Sequence, residues 1–247
     1  MIMNTRRIWV GWVAGFLLVC GAGNIGAVQG SGEQIGQVLG TAVYREQIQQ
    51  AEGQPLSYEL FRLFFQPLMS GYYTEHQQEL QPTAQEIDVV TAFWVRKHQE
   101  TVGAHQVEIQ AQLDDLVRKL AQPNLSEDER MDLEIQRDML SGQLQPPDSR
   151  YAEWLLGSWK FQRHLYLTYG GGKILWQQTG FEAFDATYQW LLQQERSGAF
   201  AITDEDLRSA FYAYWTTLDH GTLLIDDQAT IEQEFLSPEW ARGILNR

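Results

Sequence analysis

The sequence predicts an all-α fold, a multi-helix body with a projecting antiparallel αα-hairpin arm and at most one short β-strand pair. Apolar residues recur at three- and four-residue spacing through most of the chain after residue 57. Two capping boxes, which begin at Thr83 and Ser126, mark helix starts. Glycine or proline ends most of the periodic runs. We therefore expect a single helical domain over residues 28–247, with the helical arm at about residues 100–145.

Residues 1–27 are typical of an export signal or N-terminal anchor. Arg6 and Arg7 precede an apolar run over residues 8–19, and small residues follow it. Three outcomes fit this pattern: cleavage after Ala27, lipidation at Cys20, or retention of the segment as a membrane anchor. In each case the remainder of the chain would be exported, to the periplasm or the periplasmic face of a membrane.

The first part of the mature chain combines a short extended segment with a helix. Residues 38–43 predict a strand, and the helical pattern begins near Ser57. Pro67 should kink that helix, because proline lacks the amide that the helix needs. The apolar residues predicted to share its buried face are Leu60, Phe61, Phe64, Phe65, Leu68 and Tyr72.

The arm is predicted from one long helix that begins at Thr83 and a second that begins at Ser126. A loop over residues 122–125 separates them. The first helix carries an apolar line of Ile109, Leu113, Leu116, Val117 and Leu120, and the second a line of Leu133, Ile135, Met139, Leu140 and Leu144. Charged residues surround both lines, which favours two helices paired along a narrow seam.

Later segments continue the helical pattern with one extended interruption. An aromatic helix over residues 151–166 should end at three consecutive glycines, and residues 173–178 predict a second short strand. Further helices are expected over residues 181–192, ended by Gly198, and after the capping residues 203–206.

Composition excludes several classes of function. The chain has 18 Lys and Arg against 32 Asp and Glu, a net charge of −14, which disfavours nucleic acid and anionic lipid as partners. Membrane contact is therefore expected only through the N-terminal segment. Cys20 is the single cysteine, which argues against a disulfide framework, a thiol nucleophile and a zinc-cysteine site.

No catalytic or metal-ligand motif stands out, so we expect no catalytic residue, cofactor or metal. The pair Asp219-His220 could act in acid-base chemistry, since a carboxylate can orient an imidazole. A histidine at a helix end before Gly221 could equally bind the last carbonyl groups of that helix. His98 and His105 lie seven residues apart, too far along a helix to share a metal ion.

Tryptophan is abundant, with seven of the nine tryptophans after residue 27. Helical spacing assigns most of them to the core, but large flat side chains also suit a groove for extended peptide. The candidate peptide-binding residues are Trp94, Trp154, Trp159 and Trp176.

The segment Val38-Leu39-Gly40-Thr41-Ala42-Val43-Tyr44-Arg45-Glu46-Gln47-Ile48 resembles the start of the chaperone region of SurA-like and PpiD-like periplasmic foldases. The likeness continues through residues 60–79 and into the helix start at residues 82–87. It implies a helical chaperone module with an arm that holds unfolded exported chains. Nothing in the sequence resembles the parvulin isomerase domain of that family, so isomerase activity is not implied.

The sequence thus predicts an exported, chaperone-like protein that binds unfolded or extended polypeptide without catalysis. Two alternatives stay open: a helical scaffold or interaction protein of the cell envelope, and an enzyme of unknown class that uses the Asp219/His220 region.

Overall fold

The computed structural model describes residues 32–49, 53–177 and 180–245. Of these residues 69% are helical and 10% lie in strands, so the mostly helical fold is confirmed. The export signal and Cys20 lie outside the described residues. The elements are β1 Gln34–Val38, β2 Thr41–Tyr44, α1 Leu56–Leu60, α2 Gln66–Glu75, α3 Gln77–Leu80, α4 Ala84–Gly103, α5 Gln106–Leu120, α6 Glu127–Leu144, α7 Ser149–Thr168, β3 Ile174–Gln177, β4 Gly180–Glu182, α8 Phe184–Arg196, β5 Phe200–Ile202, α9 Glu205–Thr216, β6 Leu224–Ile225, α10 Gln228–Thr230 and α11 Arg242–Leu245.

The described residues cluster into two compact units. Unit 1 contains the described residues up to Gln81 together with Gly157–Ser237. Unit 2 contains Pro82–Leu156 together with the described residues from Pro238 onward. The chain therefore leaves unit 1, forms most of unit 2, and then returns. A single helical domain over residues 28–247 stays a prediction.

The first sheet corrects the strand predicted over residues 38–43. That segment contains a hairpin turn, because Leu39 and Gly40 both adopt positive φ, 48° and 77°, between β1 and β2. The strand order is β2-β1-β5, with Val38 opposite Phe200. The one strand pair expected from the sequence would have joined residues 38–43 with residues 173–178. This pairing is wrong, because these segments lie in two different sheets.

The second sheet has the order β4-β3-β6, and all of its neighbours are antiparallel. The strand predicted at residues 173–178 is present as β3. Phe181, predicted to begin a helix, lies in β4 opposite Trp176, and α8 starts only at Phe184. These strands are two to four residues long, too short for a clear alternating pattern in the sequence.

The helix that contains Pro67 is preceded by a π-helical turn, and a kink at Pro67 stays a prediction. Residues Phe61–Phe65 form this turn between α1 and α2. Proline cannot donate the amide hydrogen bond that an α-helix would require at this position, and a wider turn accommodates the loss. Leu60, Phe64, Leu68 and Tyr72 are nevertheless buried, as their spacing predicts.

The arm sequence forms an αα-hairpin within unit 2. Both capping boxes are present: the side chain of Thr83 accepts from the amide of Glu86, and Ser126 accepts from that of Glu129. The long first helix is interrupted, because α4 ends at Gly103 and α5 starts anew at Gln106. Helices α5 and α6 then pack against each other.

Among the described helices, none combines the length and the hydropathy needed to cross a bilayer.

Candidate functional site

An exposed apolar stripe runs along α6 in unit 2. Met131, Ile135 and Met139 follow one another at four-residue spacing, and 55%, 52% and 66% of their surfaces are exposed. Residues four apart lie one above another on one side of a helix. We call these three residues the outward stripe. It corrects the sequence prediction, which placed Ile135 and Met139 in the seam between the two helices.

The packing of α6 explains why the outward stripe faces solvent. Leu133, Leu140 and Leu144 are half-buried, and the facing helix α5 buries Leu113 and Leu116. Because each residue advances about 100° around an α-helix, the outward stripe lies on the side roughly opposite the three leucines. One side of α6 thus packs against α5 in the hairpin, and the opposite side exposes the outward stripe.

Acidic side chains surround this surface. The first turn of α6 carries Glu127, Asp128 and Glu129, where negative charge interacts favourably with the helix dipole. Asp132, Glu134 and Asp138 are exposed farther along. Such charge keeps the hairpin hydrated around an apolar surface that would otherwise favour self-association.

Aromatic side chains form a cluster elsewhere in unit 2. The ring of Trp94 meets Phe93 at 5.4 Å and Tyr151 at 6.2 Å, edge to face, and Tyr151 lies 6.0 Å from Trp154. Trp94 and Trp154, two of the four predicted tryptophans, are thus joined through Tyr151. The guanidinium of Arg96 lies 5.5 Å from the Phe93 ring. The cluster therefore combines the flat apolar rings with a positive charge, the guanidinium of Arg96, next to one of them.

A cleft adjoins the interruption between α4 and α5. Its volume is about 280 Å³, and its lining residues include Val102, Gly103, Leu144 and Pro146. His98 Nε2 lies 2.8 Å from the carbonyl oxygen of Gln143, so the imidazole ties α4 to the end of α6. This volume lies just below the roughly 300 Å³ at which small-molecule pockets begin.

The outward stripe, the aromatic cluster and the cleft all belong to unit 2. Comparisons with protein-family models, curated proteins and solved structures found no match. The similarity to SurA-like foldases therefore stays a prediction, and inferences about function depend on the geometry.

The other two predicted tryptophans lie in unit 1. Trp159 is buried, and its indole N–H donates to the carbonyl oxygen of Phe235 at 2.6 Å, an arrangement typical of a core residue. Trp176 is about half exposed on β3, opposite Phe181. The structure thus does not gather all four tryptophans into one site.

Asp219 and His220 do not pair with each other in the geometry of a catalytic dyad. His220 Nε2 lies 2.8 Å from the carbonyl oxygen of Tyr214, in the last turn of α9. Asp219 instead accepts a hydrogen bond from the amide of Gly221 at 2.8 Å. Of the two interpretations from the sequence, these contacts fit the histidine that binds the carbonyl groups at a helix end.

Unit 1 also buries a carboxyl group that sequence reasoning missed. Glu182 accepts hydrogen bonds from the hydroxyl of Tyr214 and the amide of Gln177, both at 2.6 Å, and from the indole of Trp215 at 3.3 Å. Burial raises the pKa of Glu182 to about 7, although these three donors oppose the shift. No local pattern marks Glu182, because two of its three partners, Tyr214 and Trp215, lie more than 30 residues away in the sequence.

A second group that the sequence did not reveal could hold a metal ion. His76, Glu79 and His164 each offer a ligand atom, and these atoms lie within 4.8 Å of one another. His76 and Glu79 are three residues apart, but His164 comes from α7. A His-x-x-Glu search would have found the first two residues, and the third needed the fold.

Proposed function

We propose that this protein is an exported, chaperone-like protein that binds unfolded or extended polypeptide without catalysing a reaction. The observation that carries the proposal is the outward stripe: three large apolar side chains exposed along one side of α6. Contiguous exposed apolar surface on a soluble helix is typical of an interaction site.

The chemistry of the outward stripe favours a variable partner over a single fixed one. Two of its three residues are methionines, whose unbranched, polarisable side chains adapt to differently shaped apolar partners. Surfaces rich in methionine are characteristic of proteins that bind many sequences. Extended polypeptides of varied sequence are such partners.

The charge of the chain also suits this partner. A net charge of −14 keeps a complex with an aggregation-prone client apart from other complexes by mutual repulsion. The aromatic cluster and the cleft lie in the same unit and could add contact area for a client. The similarity of residues 38–48 to periplasmic foldases, and the signal-like N-terminus, support the same function and an extracytoplasmic location.

Light scattering of a denatured outer-membrane protein, diluted with and without the purified protein, tests the proposal. We expect suppression of aggregation at several-fold molar excess, and weaker suppression after Ile135→Gln with Met139→Gln. A matched double variant, Leu167→Gln with Leu223→Gln, removes similarly exposed apolar residues from unit 1. It should suppress aggregation as well as the parent protein does.

Two results would contradict the proposal. The first is unchanged scattering at every ratio of protein to client. The second is clear acceleration in a proline-isomerisation assay run with the same preparation, since that would reveal a catalytic activity. Stable pairing of two copies through α6, detected by sedimentation and lost in the α6 double variant, would instead assign the outward stripe to self-association.

A further inference from the structure

A second site in unit 1 is independent of the polypeptide-binding surface. We propose that His76, Glu79 and His164 bind one divalent transition metal ion of the zinc class, with a fourth coordination position left open. Two imidazoles and one carboxylate are the ligand set of many three-ligand zinc sites, in which a water molecule completes the tetrahedron.

The backbone holds the first two ligands in fixed positions. His76 lies at the junction of α2 and α3, where its amide donates to the carbonyl oxygen of Tyr72 at 3.0 Å. Its own carbonyl oxygen accepts from the amide of Glu79, also at 3.0 Å. The spacing of three residues across this junction places both side chains on one side of the chain.

The third ligand comes from a long, well-packed helix. His164 lies on α7 between Phe161 and Leu165, both of which are buried. The His76 and His164 rings meet edge to face with their centroids 4.7 Å apart. Tyr72 packs against both rings, at 4.4 Å and 5.6 Å, and so limits their rotation.

The distances between the ligand atoms are close to those that a zinc ion needs. Zinc lies about 2.0–2.2 Å from imidazole nitrogen and carboxylate oxygen, so tetrahedral ligand atoms are about 3.4 Å apart. Glu79 Oε2 is 3.5 Å from His164 Nε2, and the widest separation in the set is within 4.8 Å. The separations therefore exceed the ideal value by at most about 1.4 Å, and the Glu79 side chain, 68% exposed, has room to adjust.

His164 offers its Nε2 atom as the third ligand. Its Nδ1 is buried, so Nε2, which lies toward Glu79, is the ring nitrogen that can reach a metal ion. The 3.5 Å separation of Nε2 from Glu79 exceeds an ordinary hydrogen bond.

The chain contains a natural control for this argument. His105 and Glu108 repeat the His-x-x-Glu spacing, with Nδ1 and Oε2 3.8 Å apart, but both side chains are more than two-thirds exposed. Within the described residues, that pair has no third ligand close enough to join it. The metal-binding property is therefore assigned to the set that includes His164, and not to the spacing alone.

Calorimetric titration of zinc chloride into the chelator-treated full chain tests the proposal. We expect one zinc ion per chain and a higher melting temperature, because a ligand that binds only the folded state stabilises it. Glu79→Gln and, separately, His76→Asn should each weaken zinc affinity at least about tenfold. Glu108→Gln should bind zinc as the parent does.

Cobalt substitution gives a second readout, since the visible spectrum of Co²⁺ reports coordination by nitrogen and oxygen ligands. The spectrum should be lost in Glu79→Gln and kept in Glu108→Gln. Zinc binding that is absent, or that Glu79→Gln and Glu108→Gln weaken equally, would overturn the proposal. Neither outcome affects the polypeptide-binding function, which the α6 variants test separately.

Discussion

The aromatic core of unit 1 and the α5–α6 hairpin of unit 2 use apolar side chains in opposite ways. Unit 1 buries large rings completely, among them Phe200 and Phe211, whose centroids are 5.7 Å apart. The hairpin buries Leu113 and Leu116 on α5, while α6 buries none of its residues and exposes the outward stripe. Unit 1 thus uses its apolar side chains for stability, whereas the hairpin leaves part of its own apolar surface available to a partner.

Placing charged residues in the seam between α5 and α6 should have the largest effect on stability. Leu113→Asp with Leu116→Asp places two carboxylates in a buried interface, at a cost of more than about 4 kcal/mol. Hydrogen exchange should show residues 106–144 unprotected while residues 200–215 stay protected. Val117→Asp adds one carboxylate at an exposed position of α5 and should leave the hairpin intact. Loss of protection in both regions would place the seam in the main core.

Replacing the buried carboxyl group of Glu182 in unit 1 should have the next largest effect on stability. Folding raises the pKa of Glu182 from 4.5 to about 7, so the native state favours the protonated form. The resulting stabilisation is complete below pH 4.5 and is lost as the pH rises through 7, a change of about 3 kcal/mol. In Glu182→Gln, urea unfolding followed from pH 4 to pH 8 should lack this decline.

Glu59 provides a control of opposite sign. Its carboxylate is buried beside Arg62, and hydrogen bonding from that guanidinium holds the pKa of Glu59 below its usual range. The stabilisation it supplies is present above its unfolded pKa and is lost as the pH falls. Glu59→Gln should therefore reduce stability at neutral pH and change it little in acid. A pH profile for Glu182→Gln that matches the parent would contradict the assignment.

Several local features could be predicted from the sequence because nearby residues determine them. The capping boxes at Thr83 and Ser126 and the glycines after α7 each involve residues a few positions apart. The sheets could not be predicted, because β1 pairs with β5. Phe200 in β5 lies opposite Val38, although 162 positions separate the two in the sequence.

The candidate sites show the same limit. Ile135 and Met139 fit a helical spacing with the seam leucines, and only the packing of α5 on α6 shows that they face outward. His76 and Glu79 are close in sequence, but the metal-ligand set needs His164 from a separate helix. Composition and periodicity do not determine which distant segments meet.

The smallest expected effect concerns the β1–β2 turn. Leu39 adopts a left-handed conformation, with φ of 48°, which costs a residue with a β-carbon about 1–2 kcal/mol. Asparagine tolerates this conformation, so Leu39→Asn should raise the free energy of unfolding by about 1 kcal/mol. Leu39→Val should lower it, because a β-branched side chain suits positive φ poorly. Equal stability of both variants in urea would contradict a strained turn.

Site-specific photocrosslinking tests the central claim most directly, because it reports contact between one position and the client. A photoreactive amino acid at position 135, within the outward stripe, should crosslink to a denatured outer-membrane protein diluted from urea. The same probe at position 167, an equally exposed apolar site in unit 1, should give little product. Equal crosslinking at both positions, or none at position 135 while aggregation is still suppressed, would contradict polypeptide binding by the outward stripe.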